Sequence, residues 1–235
     1  MMTQDMIAGI GAVDTRSLVD KVEMNLIDFF IKQELSPGDV IPKELELAQV
    51  MGVSRTVIRE SLNRLKTMGL IESIKHKGTL IKSPDLPQIL QKSMIPNILN
   101  QRSLRDAFEL RLVLEVGMAD LVVRRITDQD LEELRQIVSN EDSPSADTLF
   151  DVDYEVRFHG KLYDITGNET LRGFQQLLLP VFNYVYSSGL IHKTGVHKKY
   201  VSHRGLVEIL AERDASRFRK GMRQHLENHF NRIFN

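Results

Sequence analysis

Apolar side chains recur at helical spacing over the first third of the chain and predict three helices close together in sequence. The first runs over Leu18–Phe30 and ends at the turn-forming run Ser36–Asp39. A short helix over Lys43–Val50 follows. Ser54 is then placed to cap a third helix over Arg55–Met68.

Two β-like runs, Leu70–Ile74 and Thr79–Ile81, come next, with a basic turn at residues 75–78 between them. The predicted order is a first helix, a second helix, a short turn, a third helix and a basic hairpin. This order is that of a winged helix-turn-helix. Such a fold places one helix in the major groove of DNA. The sequence therefore predicts a DNA-binding domain over residues 15–83, after a mobile tail at residues 1–14.

Charge supports this interpretation locally but not globally. The formal net charge of the chain is −1. The segment Arg55–Lys82 nevertheless carries seven Lys and Arg residues against two Glu, a local charge of +5. The expected base contacts come from Arg55, Thr56 and Arg59, because arginine pairs with guanine in the major groove. Lys75 and Lys77 of the hairpin are expected to meet phosphates or the minor groove. A solvated charged helix face is the alternative.

Several motifs in this region resemble the GntR family of bacterial regulators, and the resemblance covers about residues 16–82. They are Pro37–Pro42, Glu46-Leu47-Ala48, Gly52–Arg55, Arg59–Leu65, Gly69-Leu70-Ile71 and Gly78. The resemblance implies DNA contacts at Arg55, Thr56 and Arg59, and at the wing residues His76, Lys77 and Gly78. One departure is Leu45, where many relatives have an arginine, so operator preference is expected to differ.

Beyond the interruption at Ser83–Pro87 the chain has helical periodicity throughout. A connecting helix is predicted over Leu86–Leu99 within a linker at residues 84–102, with Pro96 as a kink. Residues 103–235 are predicted to form an all-α antiparallel bundle. Its expected segments are Leu104–Arg125, Asp128–Val138, a polar loop at Asn140–Ser145, and then Ala146–Thr166, Glu169–Ser188, Lys198–Glu212 and Asp214–Ile233.

Histidines are concentrated in this bundle, at positions 159, 192, 197, 203, 225 and 229. A single histidine on an amphipathic helix is usually a surface or core residue. Glu155 and His159, however, share one helix face, and His203 and His225 lie beside apolar positions. Three imidazoles and a carboxylate suit a divalent metal such as Zn, Ni or Mn. On spacing alone, His229 competes with His225.

The segments Glu155–His159, Gly167-Asn168, His203 and Met222–Leu226 resemble the FadR-type ligand domain called FCD. This resemblance covers about residues 103–228 and implies a metal bound by Glu155, His159, His203 and His225. The acid is usually Asp; here it is Glu. The run Phe108–Glu115 resembles the first bundle helix of that domain. The resemblance implies that Arg111 can help to hold an effector carboxylate, and an interhelical salt bridge with an acid is the alternative that stays open.

Together these features predict a transcription regulator, with a repressor released by a small organic acid as the leading mechanism. It is expected to bind a pseudo-palindromic operator as a homodimer. A metal-dependent hydrolase, a purely structural zinc site and a metal-free acyl pocket are the alternatives. The chain has no cysteine, which excludes disulfides and thiolate metal sites. It shows neither a signal peptide nor a membrane span, so a cytoplasmic location without a membrane partner is expected.

Overall fold

The computed structural model describes residues 16–139, 152–188 and 200–234. The predicted tail at residues 1–14 and the predicted polar loop at residues 140–145 lie outside these ranges. The chain divides between Asp85 and Leu86 into two compact units, each with its own contacts. In the described residues, no helix is long and apolar enough to cross a membrane.

The N-terminal unit is a winged helix-turn-helix, which confirms the predicted fold. Its elements are α1 (Leu18–Lys32), α2 (Glu44–Met51), α3 (Arg55–Thr67), β1 (Ile71–Ile74) and β2 (Gly78–Ile81). The two strands are antiparallel, with Ile71 opposite Ile81 and Ile74 opposite Gly78. Val40 forms an additional β-bridge with Leu80, a contact that the sequence pattern did not predict.

Local capping fixes where α3 begins. The Ser54 side chain accepts a hydrogen bond from the Val57 backbone N–H at 3.3 Å, as predicted. Gly52 ends α2 in the left-handed conformation, with φ of 65°. Buried Ser61 donates its hydroxyl to the Val19 carbonyl at 3.1 Å, which ties α3 to α1. The helix that bears the predicted DNA-binding residues is therefore fixed at its start and along its inner face.

The prediction of one connecting helix over Leu86–Leu99 is wrong. The chain instead forms α4 (Leu86–Leu90) and two short 3-10 turns at Gln91–Ser93 and Pro96–Ile98. Pro96 lacks a backbone N–H and disfavours helical geometry at the residue before it. Ile95 accordingly adopts an extended conformation, with φ of −85° and ψ of 113°.

The described residues of the C-terminal unit are helical and contain no strand, which confirms the all-α prediction. The helices are α5 (Gln101–Gly117), α6 (Ala119–Arg125), α7 (Asp128–Val138), α8 (Val152–Ile165), α9 (Glu169–Ser187), α10 (His203–Ala211), α11 (Ala215–His225) and α12 (Glu227–Phe234). They share one apolar core that includes Phe108, Leu112, Phe158, Phe182 and Met222.

Three predicted helix boundaries in this unit are wrong. The helices expected over residues 104–125 and 214–233 are each divided in two, at Met118 and Leu226, where ψ is close to 0°. The helix expected from Lys198 begins instead at His203, because Ser202 caps it by accepting from the Gly205 N–H at 3.1 Å. This late start places His203 in the first turn of α10.

Candidate nucleic-acid interface and metal centre

Helix α3 presents the predicted DNA-binding residues to solvent while its opposite face is buried. Arg55, Thr56 and Arg59 are exposed. Ile58 and Leu65 on the other face are 0% exposed. A positively charged face at the start of a capped helix has the form that enters a major groove.

Arg59 also contacts a residue that the sequence analysis did not single out. Its Nε and Nη2 donate to Glu44 Oε2 at 3.3 Å and 3.1 Å. Glu44 begins α2, so this ion pair joins the two helices of the helix-turn-helix. Because the Arg59 side chain is 57% exposed, the pair adds little stability. Its effect is to restrict where the guanidinium points.

The wing is a tight basic turn between β1 and β2. Lys75, His76 and Lys77 are all exposed, and the Lys77 N–H donates to the Ile74 carbonyl at 3.0 Å. His76 and Gly78 have positive φ values, 65° and 100°. For Gly78 this conformation is unstrained, whereas few residues with a side chain adopt it. The turn therefore keeps both lysines at its tip.

Three histidines from different helices meet inside the C-terminal unit. They are His159 in α8, His203 at the start of α10 and His225 at the end of α11. One ring nitrogen from each lies within 4.8 Å of the others, and all three residues are buried. Imidazole nitrogens grouped in this way match the donor chemistry of zinc, nickel and similar divalent ions.

The surroundings of two rings indicate which nitrogen faces the cluster. His225 Nδ1 lies 2.7 Å from the Val201 carbonyl oxygen. A carbonyl oxygen only accepts hydrogen bonds, so Nδ1 carries the proton and Nε2 carries the lone pair. His159 Nδ1 lies 3.1 Å from Glu115 Oε2, another acceptor. That second pair is within ion-pair distance but not in hydrogen-bond geometry, so the structure assigns the Nε2 lone pair only for His225.

Arg111 is buried in the same region. Its Nε donates to Glu115 Oε1 at 2.7 Å, and its guanidinium lies over the Phe182 ring, 3.7 Å from the ring centroid. The ion pair left open by the sequence is therefore present, but it lies within α5 rather than between helices. The role of Arg111 in holding an effector carboxylate stays a prediction.

The remaining sequence candidates fall into two groups. Glu155 lies in α8 one turn before His159, but its side chain is outside the described residues, so its role as a metal ligand stays a prediction. His192 and His197 are also outside the described residues. His229 is buried in α12, where its ring lies edge-on to Phe182 at 5.5 Å. The histidine cluster includes His225 and not His229.

The sequence analysis also missed Tyr163, a polar residue of the core. It is 0% exposed, and its hydroxyl has no hydrogen-bond partner among the described residues. Burial raises the pKa of the Tyr163 phenol well above its usual range, and the nearby Glu115 carboxylate raises it further. The phenol is therefore protonated and can donate a hydrogen bond. Tyr163 lies four residues after His159, so the two share one face of α8. This spacing is the signal in the sequence by which Tyr163 could have been found.

Comparisons with known proteins match both units of the chain. The family described as "Bacterial regulatory proteins, gntR family" matches residues 18–81, and the FCD domain matches residues 106–228. The chain belongs to the GntR family of bacterial regulators. Its predicted combination of a GntR helix-turn-helix with an FCD domain is confirmed.

Two relatives in sequence agree with this assignment. The regulator is 30% identical to the HTH-type transcriptional regulator LutR of Bacillus subtilis (strain 168) over 200 residues, covering 83% of this chain and 91% of LutR. It is 25% identical to the HTH-type transcriptional repressor NanR of Cronobacter sakazakii (strain ATCC BAA-894) over 222 residues, covering 92% and 85%. The solved structure of Streptococcus agalactiae GntR shares 26% identity at a TM-score of 0.47, covering 91% of this chain and 100% of that one.

This GntR-family protein is thus a DNA-binding transcription regulator and not an enzyme. The hydrolase alternative is set aside, because the families that match both units, and the relatives that span them, are regulators.

Proposed function

We propose that this GntR-family regulator represses transcription as a homodimer and leaves its operator when a small organic acid binds beside a divalent metal. The observation that carries the proposal is the buried cluster of His159, His203 and His225, with the Arg111–Glu115 pair next to it. Repression is supported by the similarity to a protein described as the repressor NanR. Action on DNA implies a location in the cytoplasm.

On the DNA side, Arg55, Thr56 and Arg59 contact base edges in the major groove, and Lys75 and Lys77 contact phosphates or the minor groove. Base contacts supply sequence preference, whereas phosphate contacts supply affinity that depends on salt. A homodimer presents two such surfaces related by two-fold symmetry, so its operator is a short pseudo-palindrome.

In the ligand domain, His159, His203, His225 and Glu155 hold the metal, which supplies positive charge to an oxygen of the acid. Arg111 binds the acid through charge-assisted hydrogen bonds, and the protonated Tyr163 phenol is a further donor. A buried polar group costs free energy without a partner, so Tyr163 also favours a polar ligand over a fatty-acyl chain.

Release of DNA requires that the acid bind more tightly to the conformation that does not fit the operator. The factor by which the acid weakens operator binding cannot exceed the ratio of its affinities for the two conformations. Operator DNA weakens binding of the acid by the same factor. This reciprocity gives the mechanism a quantitative form that binding measurements can check.

The first experiment measures metal content in purified, undialysed protein, followed by thermal melts before and after chelation. We expect about one divalent ion per chain and a lower melting temperature once it is removed. His225→Leu should lose the metal, whereas the matched control His229→Leu, at a buried histidine outside the cluster, should keep it. Absence of metal, with no response to added zinc, nickel or manganese, would exclude the metal-linked mechanism.

The second experiment uses an operator selected from random DNA by the protein itself. Small carboxylates are screened for release of this operator, with and without metal. Arg59→Ala should weaken operator binding and leave metal content unchanged, while His159→Ala should abolish the response to the acid. A metal that stabilises the fold but has no effect on release by any carboxylate would support the structural-zinc alternative instead.

A further inference from the structure

Glu115 contacts both the buried arginine and one histidine of the cluster. Its Oε1 accepts from Arg111 Nε at 2.7 Å, while its Oε2 lies 3.1 Å from His159 Nδ1. All three side chains are at most 1% exposed. A carboxylate buried so completely is expensive unless donor or positive groups lie close to its oxygens. Oε1 has the Arg111 donor, and Oε2 has His159 Nδ1 within ion-pair distance, although not in hydrogen-bond geometry.

We propose that Glu115 is a positioning residue for the metal site, beyond the four ligands named above. It fixes the His159 ring in the tautomer that has the proton on Nδ1 and directs Nε2 toward the metal. The proposal rests on the metal-dependent function proposed above. Since a carboxylate accepts hydrogen bonds and the neutral imidazole has one N–H, the nitrogen nearest Glu115 is the one that carries it.

The neighbouring histidine supports this assignment. His225 Nδ1 faces the Val201 carbonyl at 2.7 Å, so two rings of the cluster have an acceptor behind Nδ1. These acceptors come from different elements, since Glu115 is in α5 and Val201 precedes α10. Groups that orient metal ligands in this way typically change metal affinity strongly when removed.

Arg111 fixes the position of Glu115. Its Nε donates to the Glu115 carboxylate, and its guanidinium lies over the Phe182 ring, 3.7 Å from the ring centroid. The three residues Arg111, Glu115 and His159 therefore form a continuous chain of contacts, which we call the buried relay. The relay places the residue expected to bind the effector one side chain away from a metal ligand.

The test needs variants that do not leave a single buried charge behind. Removing one partner of a buried pair is strongly destabilising, so both charges are removed together. The double variant Arg111→Met, Glu115→Leu removes the relay. The double variant Arg111→Met, Glu115→Gln restores an oxygen acceptor next to His159 without the charge. Leu112→Ala is the control, because Leu112 is 0% exposed in the same helix and lies in the apolar core.

Two measurements on the full chain are made for each protein. Zinc affinity is measured by competition with a chelator, and the tautomer of His159 is read in the metal-free protein from long-range proton–nitrogen NMR spectra. We expect the wild type to have Nδ1–H at His159. The Met/Leu variant should lose this preference and bind zinc about 10- to 100-fold more weakly. The Met/Gln variant should recover most of both properties.

The control separates positioning from loosening of the core. Leu112→Ala should lower stability while keeping the Nδ1–H tautomer and changing zinc affinity less than about threefold, a small shift on the scale of outer-shell effects. An Nε2–H tautomer at His159 in the wild type would overturn the proposal without any variant. Equal zinc affinity in the wild type and the Met/Leu variant would overturn it while leaving the proposed function intact. Absence of zinc binding by the wild type would refute both.

Discussion

Pro87 in α4 packs so closely against α9 that position 173 has no room for a side chain. A Cβ built on Gly173 would lie 2.6 Å from Pro87 Cγ and 2.8 Å from Pro87 Cβ. Real Cβ atoms do not approach other atoms this closely, and a proline ring cannot rotate away. Gly173→Ala should therefore push α4 away from α9.

The expected size follows from two opposing effects. Overpacking in a closely packed interior costs about 1–3 kcal/mol. Alanine in place of glycine inside a helix returns about 1 kcal/mol. The net result is a loss of about 1 kcal/mol for Gly173→Ala. In a Pro87→Gly background the clash is absent, so the same substitution should become stabilising by up to about 1 kcal/mol. Pro87→Ala would not remove the clash, because alanine keeps the Cβ that lies 2.8 Å from the added Cβ at position 173.

Urea unfolding of the four proteins in this double-mutant cycle, followed by circular dichroism, measures the coupling between positions 87 and 173. Gly117→Ala is the matched control, since Gly117 ends α5 and no atom lies within 4 Å of its added Cβ. That variant should be at least as stable as the wild type. The packing argument is refuted if Gly173→Ala behaves like Gly117→Ala, or if Pro87→Gly does not change its effect.

Three further predictions concern other parts of the molecule. Lys161 holds Asp130 at 2.7 Å, and although burial raises the pKa of Asp130, hydrogen bonds from Lys161 and Thr127 bring it down to about 2. This stabilisation is present above the usual carboxyl pKa and is lost as pH falls from about 4 towards 2. Lys161→Met should thus lower stability by about 1 kcal/mol at neutral pH, discounted for partial exposure, and thermal melts should show the deficit shrinking in acid. Leu45→Arg adds a cation on exposed α2 and should steepen the salt dependence of operator binding by about one unit of log–log slope per site; an unchanged slope would contradict this. Ser61→Ala removes a buried hydroxyl bonded to a carbonyl of α1 and should cost the N-terminal domain about 1 kcal/mol in chemical unfolding, with no cost disproving the link.

The N-terminal domain was predictable because its signals are local. Ser54 caps α3 within three residues, Gly52 ends α2, and the hairpin turn lies between two short strands. Each of these depends on neighbours in sequence, so α3 begins where the sequence predicted and ends one residue earlier. The bridge from Val40 to Leu80 was not predictable in the same way, because it joins residues from distant parts of the chain.

The ligand domain shows where such reasoning stops. Helical periodicity identified the bundle, and the FCD resemblance selected the three histidines that the fold brings together. The sequence pattern identified Glu115 only as part of a helix, although its i,i+4 spacing from Arg111 is visible in the sequence. Its contact with His159 depends on how α5 packs against α8, which periodicity does not specify. The predicted start of α10 at Lys198 was also wrong. The apolar pattern continues before His203, but the Ser202 side chain caps the helix and so sets its first residue.

The histidine cluster also bears on when the ion of the proposed function could enter during folding. His159, His203 and His225 come from α8, α10 and α11, so their rings meet only after these helices have packed. Closing the chain segments between these histidines is slow and costs conformational entropy. Binding of an ion by one histidine alone is too weak to offset that cost. If this cluster holds the metal of the proposed function, the chain would fold before it selects its ion, and folded apo-protein would fill later from whatever ions are then exchangeable.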